Sequence, residues 1–321
     1  MLRFIVRRLL LLIPTLLGIA VLIQLLMMIT PGDPIEILMG SNYTQEEKDA
    51  FREELGLNEP FHIRCVNYLR NIIFRGDFGI SFRTRTPVMR EILNRYPYTL
   101  RLILVSMAIA ICIGIPIGIY AATHQYSWKD NAAMIAALFC VSMPSFWFAL
   151  ILIQLLCVRF GILPVSGIDK WQGWMLPNFT IALGYSASIA RQMRSNMLEV
   201  IRQDYVTTAR AKGQSEVMVR YKHALKNAVI PVIMSIGSTF GIAIGGSMIT
   251  EQIFSLPGLG NYTLGALTSR DYPVIQTSVL FLSVVFAIIL LIIDITFALV
   301  DPRIRAQYAR KKKEAVRRVA L

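Results

Sequence analysis

Two stretches of this chain, residues 9–29 and 102–122, contain no charged residue at all. Each is long enough to cross a bilayer, whose hydrocarbon takes about 20 apolar residues as a helix. Four more stretches resemble them: 131–158, 174–190, 227–250 and 274–300, of which only the last holds a charge, Asp294. The stretch at 174–190 is the weakest, being short and rich in Ser, Thr, Asn and Gly. It is counted because an even number of spans makes the flanking charges consistent. With 17% charged residues over 321 positions, against about 25% in soluble domains, the chain lacks the charge to cover soluble domains. The expected class is an all-α membrane protein with six transmembrane helices.

The first run follows Arg3, Arg7 and Arg8, as in a signal peptide. Its 21 apolar residues run into PGDP (31–34) without an A-x-A-like site, which reads as an uncleaved helix. Sidedness follows from charge. With the N-terminus inside, the inner segments 1–8, 123–130, 191–226 and 301–321 hold 20 basic and 6 acidic residues, and the outer ones hold 12 and 13. The Lys/Arg excess places both termini in the cytoplasm. The net charge of +13 therefore reports topology, and nucleic acid is not an expected partner.

Four segments result: the N-terminus and first helix (1–30), an extracytoplasmic helical domain (31–97), a five-helix core (98–300) and a basic cytoplasmic tail (301–321). In the outer segment, Thr44 and Glu47 form a capping-box pattern predicting a helix over 45–54 that ends at Gly56. Pro60 starts a second helix, and Pro87 a third around MREILNRY.

Marks of chemistry are missing. There is no P-loop, H-E-x-x-H or G-x-S-x-G pattern, the three histidines are scattered, and none of Cys65, Cys112, Cys140 and Cys157 forms a C-x-x-C pair. No catalytic or metal-ligating group is expected. A proton- or sodium-driven transporter needs ionisable groups at mid-membrane. The one candidate, Asp294, lies roughly 10 Å from the inner boundary and reads as a carboxylate satisfied by nearby basic residues or helix ends. The energy for any transport must come from elsewhere.

The inner loop 191–226 is long, basic and patterned. Met197, Val200 and Ile201 recur at helical spacing and continue into Tyr205 and Thr208. Gly213 suits a left-handed turn, and Ser215 suits the cap of a second helix carrying Val217, Val219 and Leu225. Two short helices about a glycine turn make a docking knob for another protein.

DYVTTARAKG (204–213) followed by KHALKNAVIP (222–231) resembles the coupling loop of binding-protein-dependent ABC permeases, in particular the peptide and nickel branch. The general motif is E-A-A, three residues, Gly, nine residues, I-x-L-P. Aligned on Gly213, it places Thr207, Thr208 and Ala209 on E-A-A and His223 to Lys226 on I-x-L-P. Ala209, Gly213 and Leu225 match it, whereas its Glu and Pro are absent. RFIVRRLLLLIPTLLG with PGDP, GDFGISF with Pro87-Val88, TEQIFSLPGLG (250–260), and Asp294 with Asp301-Pro302-Arg303 resemble the same branch, in the same order, along nearly the whole chain.

The resemblance implies the fold of a type I ABC importer permease and a non-catalytic role. It implies as partners a second, homologous permease in a heterodimer, two P-loop ATPases that bind ATP and Mg, an extracytoplasmic substrate-binding protein and membrane lipid. It implies a bacterial inner-membrane location and di- or oligopeptide cargo, with nickel chelates, metallophores or glutathione as alternatives. Asp204, Tyr205, Thr208, Ala209, Arg210, Ala211, Lys212 and Gly213 would form the ATPase-coupling element. Gly237, Gly241 and Gly245 make a small-residue stripe that suits packing within the chain, packing on the sister permease, or the pathway wall. Glu251 is either an outer gate or the cap of the PGLG turn.

Overall fold

A computed structural model describes residues 2–30, 33–39 and 43–300. Part of the PGDP turn and the basic tail 301–321 with Asp301-Pro302-Arg303 lie outside the described residues. All the regular elements described are helical. Helix α1 (Leu2–Ile29) leads to the short α2 (Pro34–Met39), α3 (Gln45–Glu54) and α4 (Phe61–Arg70). The long α5 (Val88–Thr123) is followed by α6 (Trp128–Ser142), α7 (Ser145–Leu152) and α8 (Gln172–Ile201). Then come α9 (Asp204–Ala211), α10 (Glu216–Met218), α11 (Leu225–Gly246), α12 (Met248–Ile253), α13 (Leu259–Ser269) and α14 (Tyr272–Val300).

Among the described residues four helical stretches are long and apolar enough to cross a membrane: Arg8–Ile29, Val88–Thr123, Glu216–Gly246 and Tyr272–Thr296. A fifth is the pair Trp128–Ser142 and Ser145–Arg159, bent by 100°. The expected span over 131–158 is present but broken at Pro144, which has no N–H to continue the ladder and drives Met143 to an extended backbone (φ −76°, ψ 129°). Helix α8 has 30 residues, about 45 Å at 1.5 Å per residue, but is more polar than the rest. Its Asn178, Thr180 and Ser186 are buried. A helix enclosed by protein need not be apolar all round, which is why 174–190 is the faintest of the apolar stretches.

Helices α5 and α8 form the centre, and two glycines set their spacing. A methyl group on Gly114 would fall 2.6 Å from the Ser186 carbonyl oxygen, and one on Gly118 would fall 2.6 Å from that of Ala190. Only glycine at both positions allows this approach. Around it pack Met107, Ala110, Met193, Met197, Ala228 and Val232. The buried Ser106 hydroxyl donates to Asn178 Oδ1 (3.0 Å), whose amide donates to the Trp174 carbonyl (2.6 Å). Asp130, at the start of α6, is clamped by Arg194 of α8 through two bonds of 2.6 and 2.7 Å.

The insertion departs from the expected pattern in one respect. Thr44 and Glu47 make the capping box, Gly56 takes φ +64° and α4 begins after Pro60. Pro87, however, opens no separate third helix: α5 starts there and continues through Pro97 into the membrane span. Helix α3 buries none of its residues, and the insertion is tied to the core. Asp271, buried between α13 and α14, accepts from Ser81 Oγ (2.5 Å) and from the backbone N–H groups of Phe82 (3.1 Å) and Arg83 (3.3 Å). Thr277 Oγ1 donates to the Phe78 carbonyl (2.9 Å). The GDFGISF segment is thus a strap bound to the start of the last helix.

Candidate functional site: the coupling knob and the cleft

The inner loop 191–226 is mostly continuous helix. Helix α8 runs through its first eleven residues to Ile201, and only Arg202 and Gln203 separate it from α9. After α9, Gly213 adopts φ +76°, the left-handed turn that glycine takes without strain. Ser215 Oγ then accepts from the Met218 N–H and caps α10. The second helix of the knob is not separate, because α10 passes through wider π-helical turns over Val219–Ala224 directly into α11.

Within this knob Val206 and Ala209 are buried against Val219. Ala209 thus faces inward and locks α9 onto the foot of α11, and it does not present itself to a partner. Asp204, Tyr205, Thr208, Arg210, Ala211, Lys212 and Gly213 are exposed, as are Val217, Met218 and Tyr221. Asn227 of α11 donates to the Tyr205 hydroxyl (2.7 Å), a second tie between the two helices. Arg210 donates to Glu216 (2.8 Å), and Arg220 lies 3.5 Å from the same carboxylate. An apolar and small-residue outer face framed by charges is suited to seating in a groove of another protein.

The helices attached to α9 also line a cleft. Met143 and Ser145 at the Pro144 bend, Thr180, Gly184, Tyr185 and Ser188 of α8, Ala243 and Gly246 at the end of α11, and Ser247 and Thr250 beyond it enclose about 320 Å³. Thr180, Ser247 and Thr250 are buried and Ser145 and Ser188 exposed; within a membrane, broken backbone is tolerated where it meets protein or a water-filled passage, not lipid. Charge and periodicity gave no signal for this site; the Pro144 break and the Ser-Thr-Gly content of 174–190 were the available signs.

The three stripe glycines do different things. A methyl on Gly237 would fall 2.6 Å from Ile293, and one on Gly241 would fall 2.5 Å from Phe286, so both serve the approach of α14 within the chain. Gly245 has open space before it. Gly114 and Gly118, which set the central helix pair, had no comparable prominence in the sequence.

Glu251 is fully buried. It accepts from Thr99 Oγ1 (2.7 Å), Ser247 Oγ (3.2 Å) and the Asn261 N–H (2.9 Å). Gly258 and Gly260 of the PGLG turn leave room for its carboxylate, which sits over the N-terminus of α13. There the orphan N–H groups and the helix dipole favour an acceptor. Burial pushes the carboxyl above its ordinary range against the opposing pull of these donors. Glu251 thus joins α5, α12 and α13 as a cap. Asp294 lies 2.9 Å from Arg8 of α1, a basic partner near the helix end.

A family model described as "Binding-protein-dependent transport system inner membrane component" matches residues 114–306. Its N-terminal companion, "Binding-prot-dependent transport system membrane comp, N-term", matches residues 1–103. The "Glutathione transport system permease protein GsiC" of Salmonella choleraesuis is 41% identical over 305 residues, covering 95% of this chain and 99% of that protein. The Escherichia coli K12 protein of the same name is 40% identical over the same length. Among solved structures, an inward-facing MetNI methionine ABC transporter gives a TM-score of 0.58 at 19% identity, covering 67% of this chain and 98% of its own. An amino acid ABC transporter with histidines gives 0.50 at 16%. These structures share the type I importer fold with this chain.

Proposed function

We propose, from the premise that this chain belongs to the binding-protein-dependent transport system inner membrane components, the ABC permeases of the peptide and nickel branch, that it carries small peptides across the bacterial inner membrane. Glutathione, itself a tripeptide, is the cargo this reading favours over generic di- and oligopeptides, because the relatives similar along 95% of the chain are glutathione permeases. The work is powered by two P-loop ATPases that bind ATP and Mg. Substrate arrives from an extracytoplasmic binding protein, and a second, homologous permease completes the pathway. In this reading the end carrying 191–226 is cytoplasmic, as its Lys/Arg excess requires.

One observation carries the mechanism: the two helices joined to α9 both contribute walls of the cleft, α8 through Thr180, Gly184, Tyr185 and Ser188 and α11 through Ala243 and Gly246. Helix α9 is tied to α8 by two residues and to α11 by Val206, Ala209 and Val219. Movement of a docked ATPase pair would therefore displace α8 and α11 together, beside Ser188 and Gly246. Closure on ATP opens the cleft outward toward the binding protein, and hydrolysis and release return it inward. Nucleotide supplies the differential free energy between the two states through the partner subunits.

The test is mild-detergent purification of the tagged chain from its native membrane, mass spectrometry of what remains bound, and ATP-dependent uptake of labelled glutathione in proteoliposomes. P-loop ATPases and a second permease are the expected companions. A chain that emerges alone across several detergents, with uptake that survives ATPase deletion and collapses with a protonophore, overturns the reading.

A further inference from the structure

Adjoining the cleft at Cys140 and Leu183, which line both, lies a larger crevice of about 970 Å³. Its walls are apolar: Ile113, Ile117 and Pro116 of α5 face Ala133 and Ala136 of α6, with Ala187 of α8 in the floor. Its mouth has the opposite character. Lys129, His124 and Arg220 gather there with Tyr120 and Tyr221. The Lys129 ammonium lies 5.8 Å from the Tyr120 ring centre, and among the described residues no carboxylate pairs with it. Asp130 beside it is fully engaged by Arg194. Glu216 is shared between Arg210 and Arg220, so the rim remains net positive.

The level of the mouth is marked independently by Trp128, 75% exposed, and Tyr126, 79% exposed. Such residues concentrate at the headgroup boundary. From Lys129 at the mouth to Cys140 at the deep end, α6 rises about 16 Å, the thickness of one leaflet of a hydrocarbon core about 30 Å across.

From an apolar slot one leaflet deep beneath a cationic, aromatic rim, we propose that this crevice binds an anionic phospholipid of the cytoplasmic leaflet, one acyl chain between α5 and α6 and the phosphate between Lys129 and Arg220. Cationic pockets between helices on that face recognise such headgroups. Because Val217, Arg220 and Tyr221 belong to the stretch joining α9 to α11, the bound lipid also braces the coupling knob against α5 and α6. The choice of the cytoplasmic leaflet and this bracing role rest on the orientation and transport reading proposed above; the apolar slot and its cationic rim do not.

The test uses the intact importer in nanodiscs containing either phosphatidylglycerol or phosphatidylcholine, with native mass spectrometry of retained lipid. Phosphatidylglycerol is expected to stay bound selectively. K129Q/R220Q removes two headgroup charges and should weaken its retention roughly fivefold to thirtyfold. A136L, which fills the slot from an exposed position, should expel the lipid while the rim stays intact. Equal retention of both lipids, or no loss in either variant, overturns the proposal. So does a photo-crosslink to the second permease from a benzophenone maleimide attached to A133C, which would show the slot occupied by protein. None of these results depends on uptake, so a failed lipid site and a failed transport reading are told apart.

Discussion

Removing the Glu251 carboxylate distinguishes a gate from a cap. In E251A the Asn261 N–H loses its acceptor in a buried place. Ser247 suffers less, because its Oγ already has the Ile244 carbonyl at 3.1 Å. Thr99 Oγ1 still accepts from the Leu259 N–H at 2.8 Å, but its own O–H loses Glu251 as acceptor. Each of the two orphaned buried donors costs about 1–3 kcal/mol. The space left against Gly258 and Gly260 adds about 1–2 kcal/mol of lost packing, so a total of about 3–8 kcal/mol is expected. In E251Q the amide oxygen can accept from Asn261 and the amide nitrogen can donate to Ser247 Oγ, which leaves only the Thr99 O–H without its acceptor and a smaller cost of about 1–3 kcal/mol. Thermal unfolding of the purified complex, followed by size-exclusion chromatography, reads the order wild type, E251Q, E251A, with E251A lower by several degrees. A group that acts as a gate would give the reverse signature: wild-type thermal stability in E251A with uptake abolished. That result would refute the cap.

The same residue sets a pH dependence. Burial raises its pKa in the folded chain, so the folded state holds the proton more tightly than the unfolded one. Its stabilising contribution is full below the ordinary carboxylate range and is lost as pH rises through the raised pKa. Unfolding temperatures should therefore shift against wild type, relative to E251Q, as pH rises through that window. G118A should lower stability by about 1–3 kcal/mol through overpacking against the Ala190 carbonyl, while G184A, with nothing within 4 Å, should be tolerated; equal thermal stability of the two would sink the α5–α8 spacing argument. G213V places a β-branched residue at φ +76° and should cut binding-protein-stimulated ATPase activity several-fold at near-normal membrane levels, an outcome read by blotting alongside the ATPase assay. D294N breaks a partly exposed pair with Arg8 and should leave ATP-driven uptake within about twofold of wild type; complete loss of uptake would restore Asp294 as a proton site.

The elements of this protein that depend on local chain chemistry were legible in the sequence. Charge-free runs of the right length mark helices because no other open structure satisfies the backbone in lipid. Thr44 with Glu47, Gly56, Gly213 and Ser215 mark helix ends through interactions a few residues long. Family membership was legible from the ordered motifs between Arg3 and Arg303. What required the tertiary structure were the roles that depend on residues distant along the chain. TEQIFSLPGLG shows an acid before a turn, but only Thr99, 152 positions away, makes Glu251 a cap. Ser81 and Asp271, 190 positions apart, turn an unexplained motif into a strap. Ala209 resembles a docking contact in the motif, yet packing on Val219 turns it inward. Gly237 and Gly114 look alike in sequence and differ only in which helix approaches. A side chain's direction within a helix follows from local geometry; what stands opposite it is decided by how the helices cross.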